Sequence, residues 1–323
     1  MIKMKAAIRT QYGAPSVLSV KEVEKPTPKD NEILVKVHAT TINRTDTGVL
    51  LGAPFVFRFF TGLFKPRYQT TGTDFAGRVE SVGKNVTDFK VGDRVWGFKD
   101  HGLPTHAEYA AVSTDMPILK IPMDWDYQHI VACAEGAHYA RNFINKVNLK
   151  AGQKAVVYGA TGAIGSALVQ ILKHFGLYVT AVCATPHLEL VKSLGADKVR
   201  DYLKEDFTKD DIQYEYVFDA VGKSSFGVCK PLLLPKGIYI SSELGPHNEN
   251  LYLPLITPLL GGKKVIFPMP LDIKASLEFM NHLVEIGHFK PVIDRVYPLD
   301  DIAEAFRYVL TGQKIGNVII AMD

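Results

Sequence analysis

The chain has 323 residues, of which 47% are hydrophobic and 22% are charged, and this balance predicts a globular protein with two domains. The formal net charge is only +3 and basic residues alternate with acidic ones, which leaves no electrostatic case for nucleic-acid binding. No signal-like core opens the sequence and no run of eighteen apolar residues occurs, so we expect a cytoplasmic protein without a membrane partner.

The first third of the chain is rich in short strands. Alternating apolar residues separated by turns run from about residue 4 to residue 121, as in Ile33 to Val37 and Phe75 to Val79, and they predict a β-rich, barrel-like domain. Within it, the segment from Phe55 to Phe64 is unusually aromatic. We favour a core position for this segment; a hydrophobic wall that faces a substrate is the alternative.

From about Trp125 to Phe267 the pattern changes to strands that alternate with helices. Six strands joined by helical crossovers predict a doubly wound parallel sheet of the α/β class. The expected strands are Ala155 to Tyr158, Tyr178 to Cys183, Lys198 to Arg200, Val217 to Asp219, Gly237 to Ser242 and Val265 to Phe267.

A glycine-rich turn follows the first of these strands. It has the pattern Ala-x-Gly-x-x-Gly, one methyl group away from the usual dinucleotide motif, and apolar residues recur at helical spacing after it. Gly162 would let the backbone approach a pyrophosphate, and Gly165 would let the helix pack against the strand. We therefore expect a dinucleotide to bind at this helix N-terminus, through Ala160, Thr161, Gly162, Ala163, Ile164 and Gly165.

The end of the next strand indicates which dinucleotide binds. An enzyme that uses NAD normally places an acidic residue there, but this chain has Cys183, and no Asp or Glu lies between Glu135 and Glu189. NADP(H) is therefore favoured, with Thr185 and His187 near its 2′-phosphate. We also expect Thr185 and Pro186 to begin the helix that follows, with Thr185 as its N-cap.

The last part of the chain predicts a return to the first domain. Residues 273–286 and 300–311 each predict a helix, and Asn317 to Ile320 predict a strand that needs a sheet to join. The expected domains are a catalytic domain over residues 1–124, a nucleotide-binding domain over residues 125–267, and a return to the catalytic domain over residues 268–323.

Several motifs, taken in order, resemble the medium-chain dehydrogenase/reductase superfamily in its zinc-independent quinone oxidoreductase branch. This resemblance covers nearly the whole chain and implies a Rossmann domain inserted into a GroES-like catalytic domain, as well as a homodimer that pairs through the strand near Val265. The motifs are Asn43 to Asp46, Gly72 to Val79, Phe89 to Gly97, the glycine-rich turn, Leu194 to Asp197, Asp201-Tyr202 and Phe218 to Gly222.

Zinc ligands are missing where the alcohol dehydrogenase branch has them. The places of the catalytic Cys and His correspond to Asn43 and to Gly72-Thr73-Asp74, and no C-x-x-C motif exists for a structural zinc. We therefore expect no metal. Without a Lewis acid the acceptor must already be activated, as a quinone or an α,β-unsaturated carbonyl is.

The resemblance also implies roles for single residues. Asn43 would bind the acceptor oxygen or the nicotinamide ribose, or else cap a local turn. Tyr139 stands where the family often has Thr, and it could bond the nicotinamide amide, donate a proton or fill space. Tyr202 would lie against the ribose phosphate and Asn317 near the nicotinamide, while Val221 and Ser241 would line the cofactor crevice.

Together these features predict an NADPH-dependent quinone or enone reductase. A reductase of 2-enoyl thioesters is one alternative, with Lys65 and Arg67 near the longer substrate. The other is a non-catalytic NADPH-binding protein, which the unusual Tyr139 suggests.

Overall fold

The computed structural model describes residues 2–55, 57–100 and 102–322. The chain forms two compact units. The first comprises Met1–Glu135, Ile273–Glu285 and Lys290–Asp323, and the second comprises Gly136–Asp272 and Ile286–Phe289. Residues 125–135 thus pack within the first unit. None of the described helices is both long enough and apolar enough to cross a membrane.

The first unit begins with seven strands and three short helices. Strands β1 and β2 form an antiparallel pair, whereas β3, β4, β5 and β7 belong to a larger sheet in which β6 also pairs with β3. The elements are β1 (Lys3–Ile8), β2 (Ser19–Glu24), β3 (Glu32–Ile42), α1 (Arg44–Leu51), α2 (Phe57–Thr61), β4 (Asp74–Val82), β5 (Arg94–Phe98), β6 (Tyr109–Ser113), β7 (Ile118–Lys120) and α3 (Tyr127–Val131).

The second unit is built on six parallel strands in the order β10-β9-β8-β11-β12-β13. The order reverses between β8 and β11, which is where such sheets bind ligands. The predicted α/β sheet is confirmed. The elements are α4 (Glu135–Ile144), β8 (Lys154–Tyr158), α5 (Ala163–His174), β9 (Tyr178–Cys183), α6 (Leu188–Ser193), β10 (Lys198–Asp201), β11 (Tyr214–Asp219), α7 (Phe226–Cys229), β12 (Leu233–Ser241), α8 (Glu249–Ile256) and β13 (Lys264–Ile266).

The tail belongs to the first unit from Ile273 onward, except for Ile286–Phe289, which belong to the second unit. It forms α9 (Ile273–Glu285), β14 (Ile293–Pro298), α10 (Ile302–Leu310) and β15 (Asn317–Ala321). Strand β15 pairs antiparallel with β3, Val318 opposite Ile42, and parallel with β14. The buried face of α10, with Ile302, Phe306 and others, joins the core of this unit, so the tail is an integral part of it.

The aromatic segment is not part of the core, and the favoured prediction for it is wrong. Phe55, Phe59, Phe60 and Phe64 are all exposed, Phe64 to 91%. Gly52 before the segment and Gly62 within it adopt positive φ, on either side of α2, which is only a little more than one turn long. A helix this short cannot present a continuous apolar face to a core. Val56 lies outside the described residues.

Candidate functional site

The glycine-rich turn of the second unit has the geometry of an anion-binding helix start. Gly162 is the N-cap of α5, and no side chain caps this helix end. A Cβ added at Gly162 would meet no atom closer than 3.8 Å, so the space beside it is open. The first N–H groups of a helix have no carbonyl partner within it. A negatively charged group can therefore approach the backbone here.

Gly165 serves a different purpose from Gly162. A Cβ at Gly165 would lie 2.1 Å from the carbonyl oxygen of Gly159, so only glycine lets α5 pack this tightly on the end of β8. Gly165 thus sets the position of the helix, whereas Gly162 leaves its N-terminus accessible. Both features fit the pyrophosphate of a dinucleotide.

Neighbouring strand ends lie beside this turn. In the sheet register Tyr158 of β8 is opposite Asp219 of β11, which in turn is opposite Ser241 of β12. The buried Asp219 accepts hydrogen bonds from the backbone N–H groups of Val221 and Gly222, at 3.1 and 2.7 Å, and so shapes the turn after β11. The structure therefore brings the predicted residues Val221 and Ser241 to the carboxyl ends of the strands, where the glycine-rich turn also lies.

The sequence predicts that no carboxylate lies near Thr185, and the structure contradicts this prediction. Asp201 ends β10 directly opposite Cys183 of β9, and Thr185 Oγ1 donates a 2.5 Å hydrogen bond to its carboxylate. This hydrogen bond, which is the largest effect, lowers the pKa of Asp201, so the group is charged at neutral pH. Parallel pairing thus places a negative charge where the local sequence had none.

Thr185 is also not the N-cap of the following helix, contrary to the prediction. Residues 185–187 form a single 3₁₀ turn before α6, and the hydroxyl of Thr185 is committed to Asp201. His187 is half-buried in that turn. Tyr202 follows Asp201, is half exposed, and meets Tyr158 edge to face at 6.5 Å between ring centres. All of these residues lie at one end of the sheet.

Helix α4 lies close to the start of α5 because of one glycine. A Cβ at Gly136 would be 2.7 Å from the Cβ of Ala163, so the two backbones are nearly in contact. Tyr139 is half-buried in the next turn of α4. The ring of His138 is buried, which lowers its pKa to about 4, and this histidine is neutral. Gly136 thus brings the helix that carries Tyr139 to the nucleotide turn.

In the first unit, Asn43 lies in a buried polar network. It occupies the N-cap position of α1, its Nδ2 donates to Thr41 Oγ1 at 2.6 Å, and its Oδ1 accepts from Lys314 Nζ at 3.3 Å. Thr41 Oγ1 donates in turn to the carboxylate of Asp74. The amide of Asn43 therefore has a fixed orientation, with its oxygen toward the lysine.

Asn317 lies next to Asn43. Because Val318 pairs with Ile42, the residues just beyond this pair, Asn317 and Asn43, are neighbours at the end of the ladder. Asn317 Nδ2 donates to the carbonyl of Val292 at 3.1 Å. Its buried Oδ1 has no hydrogen-bond partner among the residues that the structure describes, so it can accept a hydrogen bond from a ligand.

Four titratable groups lie around Asn43, three of them buried and Lys314 partly buried, and sequence reasoning gave none of them a role. Burial, strengthened by the charge of Glu135, raises the pKa of Asp46 well above its usual range. Burial also raises the pKa of Asp74 to about 6 and that of Glu135 to about 8, and it lowers the pKa of Lys314 to about 8. One feature of the sequence could have indicated this site: Glu135 is the single charged residue in the run from Ile130 to Ala137.

The residues at the expected zinc position do not fit a metal. Asn43 and Thr73 supply only an amide and a hydroxyl, and the carboxylate of Asp74 accepts hydrogen bonds from Thr40 and Thr41. Across residues 2–55, 57–100 and 102–322, no group of three or more His, Cys, Asp or Glu side chains is arranged to hold a metal ion. Zinc prefers Cys and His ligands, and neither stands at these positions.

Comparison with known proteins shows the family of the chain. Two family models match, the alcohol dehydrogenase GroES-like domain over residues 29–123 and the zinc-binding dehydrogenase over residues 194–320. The chain is 33% identical over 325 residues to the chloroplast envelope quinone oxidoreductase homolog of Arabidopsis thaliana, with 95% of each chain covered.

Two further similarities extend this finding. The chain is 30% identical over 332 residues to the chloroplastic NADPH-dependent alkenal/one oxidoreductase of Arabidopsis thaliana, which covers 98% of this chain and 79% of that relative. The solved structure of the quinone oxidoreductase from Coxiella burnetii has a TM-score of 0.87 at 23% identity and covers 100% of both chains. The last comparison concerns the fold alone.

Proposed function

Because this chain belongs to the medium-chain dehydrogenase/reductase superfamily, in its quinone oxidoreductase branch, we propose that it is an NADPH-dependent, zinc-independent reductase of quinones or α,β-unsaturated carbonyls. The chain is an oxidoreductase, and its substrates are small molecules. One observation carries the proposal: an open, uncapped helix N-terminus stands at the switch point of the parallel sheet.

Residues of the second unit would bind the dinucleotide. The uncapped start of α5 meets the pyrophosphate, and the ends of the neighbouring strands line the crevice. When bound, the reduced nicotinamide supplies a hydride. The proposed contacts are Ala160, Thr161, Gly162, Ala163, Ile164 and Gly165 for the pyrophosphate, Thr185, His187 and Tyr202 for the adenosine ribose and its phosphate, and Val221 and Ser241 for the crevice.

Residues near the nicotinamide and the acceptor would orient the reaction. Asn43 holds a fixed amide that can bind the acceptor oxygen or the nicotinamide ribose. Beside it, Asn317 offers a side-chain oxygen that has no partner among the described residues. Tyr139 is the second proposed catalytic residue, on the helix that Gly136 brings to the nucleotide turn. Fixed hydrogen-bond donors and a held geometry are what hydride transfer to an activated acceptor requires.

The proposal includes NADPH rather than NADH, although Asp201 lies nearby. Both oxygens of its carboxylate are engaged, by Thr185 and by the N–H of Leu203, and Lys204 lies 3.7 Å away. The negative charge of Asp201 is therefore partly compensated. The residue at the end of β9, where an NAD enzyme normally has an acid, is Cys183. The relative named as an alkenal/one oxidoreductase also carries NADPH in its name.

The exposed edge of the six-stranded sheet supports a homodimer, and the state of the cysteines supports a cytoplasmic location. Strand β13 is the edge of the six-stranded sheet, and α8 and the residues after it expose several apolar side chains beside that edge, among them Leu255 and Leu259. A second copy would cover them in a homodimer. The three cysteines are buried and unbonded, as in proteins of reducing compartments, and we propose a cytoplasmic location.

The test of function is a screen of acceptors with the purified chain after dialysis against a chelator. We expect NADPH oxidation of about one turnover per second or faster with ortho-quinones or simple enones. A clear preference for crotonyl-CoA would show a 2-enoyl thioester reductase instead. Absence of turnover with every acceptor, combined with tight NADPH binding, would show a non-catalytic binding protein, and activity that needs added zinc would contradict metal independence.

A further inference from the structure

Glu135 is a buried carboxyl group with one oxygen bound and one free. It begins α4, and its side chain packs within the first unit, where only 6% of the residue is exposed. Thr45 Oγ1 donates a 2.8 Å hydrogen bond to its Oε1. Its Oε2 is buried and has no hydrogen-bond partner among the described residues. An unpartnered charged oxygen at such a place would be very unfavourable.

The charges around Glu135 favour its protonated form. Burial is the main effect, and the negative charges of Asp74 on β4 and Asp100 after β5 add to it. Lys314, before β15, acts in the opposite direction, but burial lowers its own pKa to about 8, and Asp294 on β14 also faces it. Asp46 on α1 is the remaining neighbour, and two adjacent buried carboxyl groups do not both ionise readily.

The hydrogen bond from Thr45 decides where the proton lies. Because Oε1 accepts that bond, we assign the acid hydrogen of Glu135 to Oε2, the oxygen that has no partner among the described residues. With a pKa of about 8, the group is mostly protonated at pH 7. It is thus a carboxylic acid that can donate a hydrogen bond, and then a proton, to a ligand.

We propose that Glu135 is a catalytic acid that gives a proton to the reduced acceptor, a role that rests on the proposed reductase function. Hydride addition to the β-carbon of an enone moves the electron pair of the carbon–carbon double bond onto the α-carbon and oxygen, as an enolate. The O–H bond of Glu135 then breaks while a C–H bond forms at the α-carbon, which leaves a carboxylate. Solvent protonates Glu135 again before the next cycle.

The experiment compares the wild-type chain with Glu135→Gln, using NADPH and an α-methyl enone. Glutamine keeps the shape and can still accept a hydrogen bond from Thr45, but it has no acidic proton. We expect kcat to fall about 100-fold or more, while the Kd for NADPH stays unchanged. Glu80→Gln, which changes an exposed carboxylate in the same unit, is the matched control and should behave as the wild type.

Two readouts separate proton donation from a merely structural role. The new stereocentre at the α-carbon should be formed with one handedness by the wild type and as a near-equal mixture by Glu135→Gln, because solvent then protonates either face. The wild-type kcat should also decrease above about pH 8, where Glu135 loses its proton, and Glu135→Gln should lack this decrease. Thr45→Val removes a bond that favours the carboxylate, so the decrease should move to higher pH.

The possible outcomes are distinct. Turnover by Glu135→Gln with unchanged handedness and an unchanged pH profile would overturn this inference alone. The same holds if Tyr139→Phe or Lys314→Met, rather than Glu135→Gln, abolishes the handedness. Absence of turnover by the wild type would overturn the proposed function and this inference with it. In an active wild type, a carbonyl stretch of a protonated acid in the infrared spectrum, lost only in Glu135→Gln, would support the inference; its absence at pH 7 would contradict it.

Discussion

At the scale of single residues, we expect the preference between NADPH and NADH to depend on Asp201. Its carboxylate lies beside Thr185, where a 2′-phosphate or a 2′-hydroxyl of the adenosine ribose would bind. A carboxylate repels the phosphate of NADPH but accepts a hydrogen bond from the hydroxyl of NADH. The positive charge of Lys204 weakens the repulsion of the phosphate. The hydrogen bonds from Thr185 and Leu203 occupy the oxygens that would bind the ribose hydroxyl.

Replacement of Asp201 by Asn tests this balance. Removing the negative charge should tighten NADPH binding by about three- to tenfold, since a partly exposed charge pair contributes about 1 kcal/mol, and should leave NADH binding nearly unchanged. The measurement is the Kd of each dinucleotide by fluorescence titration. Asp206→Asn, at an exposed turn of the same unit, is the control. If the wild type binds NADH more tightly than NADPH and Asp201→Asn loses that binding, Asp201 is a ribose ligand and our assignment of NADPH is wrong.

At the scale of single elements, α4 depends on its glycine. At position 136 only glycine allows the backbone of α4 to come this close to Ala163 at the start of α5. A Cβ on Gly136 would lie 2.7 Å from the Cβ of Ala163. The two helices must therefore separate if this position carries a side chain. That shift would disturb the nucleotide turn and Tyr139 together.

We expect Gly136→Ala to weaken NADPH binding about tenfold or more and to lower the free energy of unfolding by about 1–3 kcal/mol, as overpacking does. Binding titration and denaturant unfolding measure the two effects. Gly227→Ala, on α7 of the same unit, introduces the same methyl group where the nearest atom is 3.9 Å away, so it should leave both quantities unchanged. Wild-type affinity in Gly136→Ala would show that the contact between the helices does not position the turn.

The same scale shows which elements can be predicted from local sequence. The strand, glycine turn and helix from Lys154 to His174 were predictable because each glycine and each apolar residue acts on its own neighbours in the chain. Helix α2 was misjudged because exposure depends on what packs against a segment, and aromatic composition does not reveal that. Thr185 was misjudged because its partner comes from the neighbouring strand.

At the scale of the whole molecule, an exposed apolar surface bears on assembly. The edge strand β13 and the exposed leucines beside it leave apolar surface in contact with water, including Leu259, which is 85% exposed. Such surface is unfavourable in a monomer and is reduced when two copies pair. This is the surface on which the homodimer proposal rests.

Light scattering coupled to size-exclusion chromatography should therefore give the mass of a dimer at micromolar concentration. Leu259→Lys places a charge within the apolar surface and should convert the dimer to a monomer. Val91→Lys, which changes another exposed apolar residue, in the first unit, should not. A wild-type chain that elutes as a monomer would contradict the proposed assembly.

The sequence by itself determined the doubly wound sheet, the nucleotide turn, the returning strand and the family. These depend on local periodicity, on glycines that act within a few residues, and on motifs in a fixed order. Only the tertiary structure decided that Asp201 stands beside Thr185, and that Asp46, Asp74, Glu135 and Lys314 share one buried site around Asn43. The pKa of a group depends on its burial and on neighbours that are distant in sequence, so folding had to bring them together before their chemistry could be inferred.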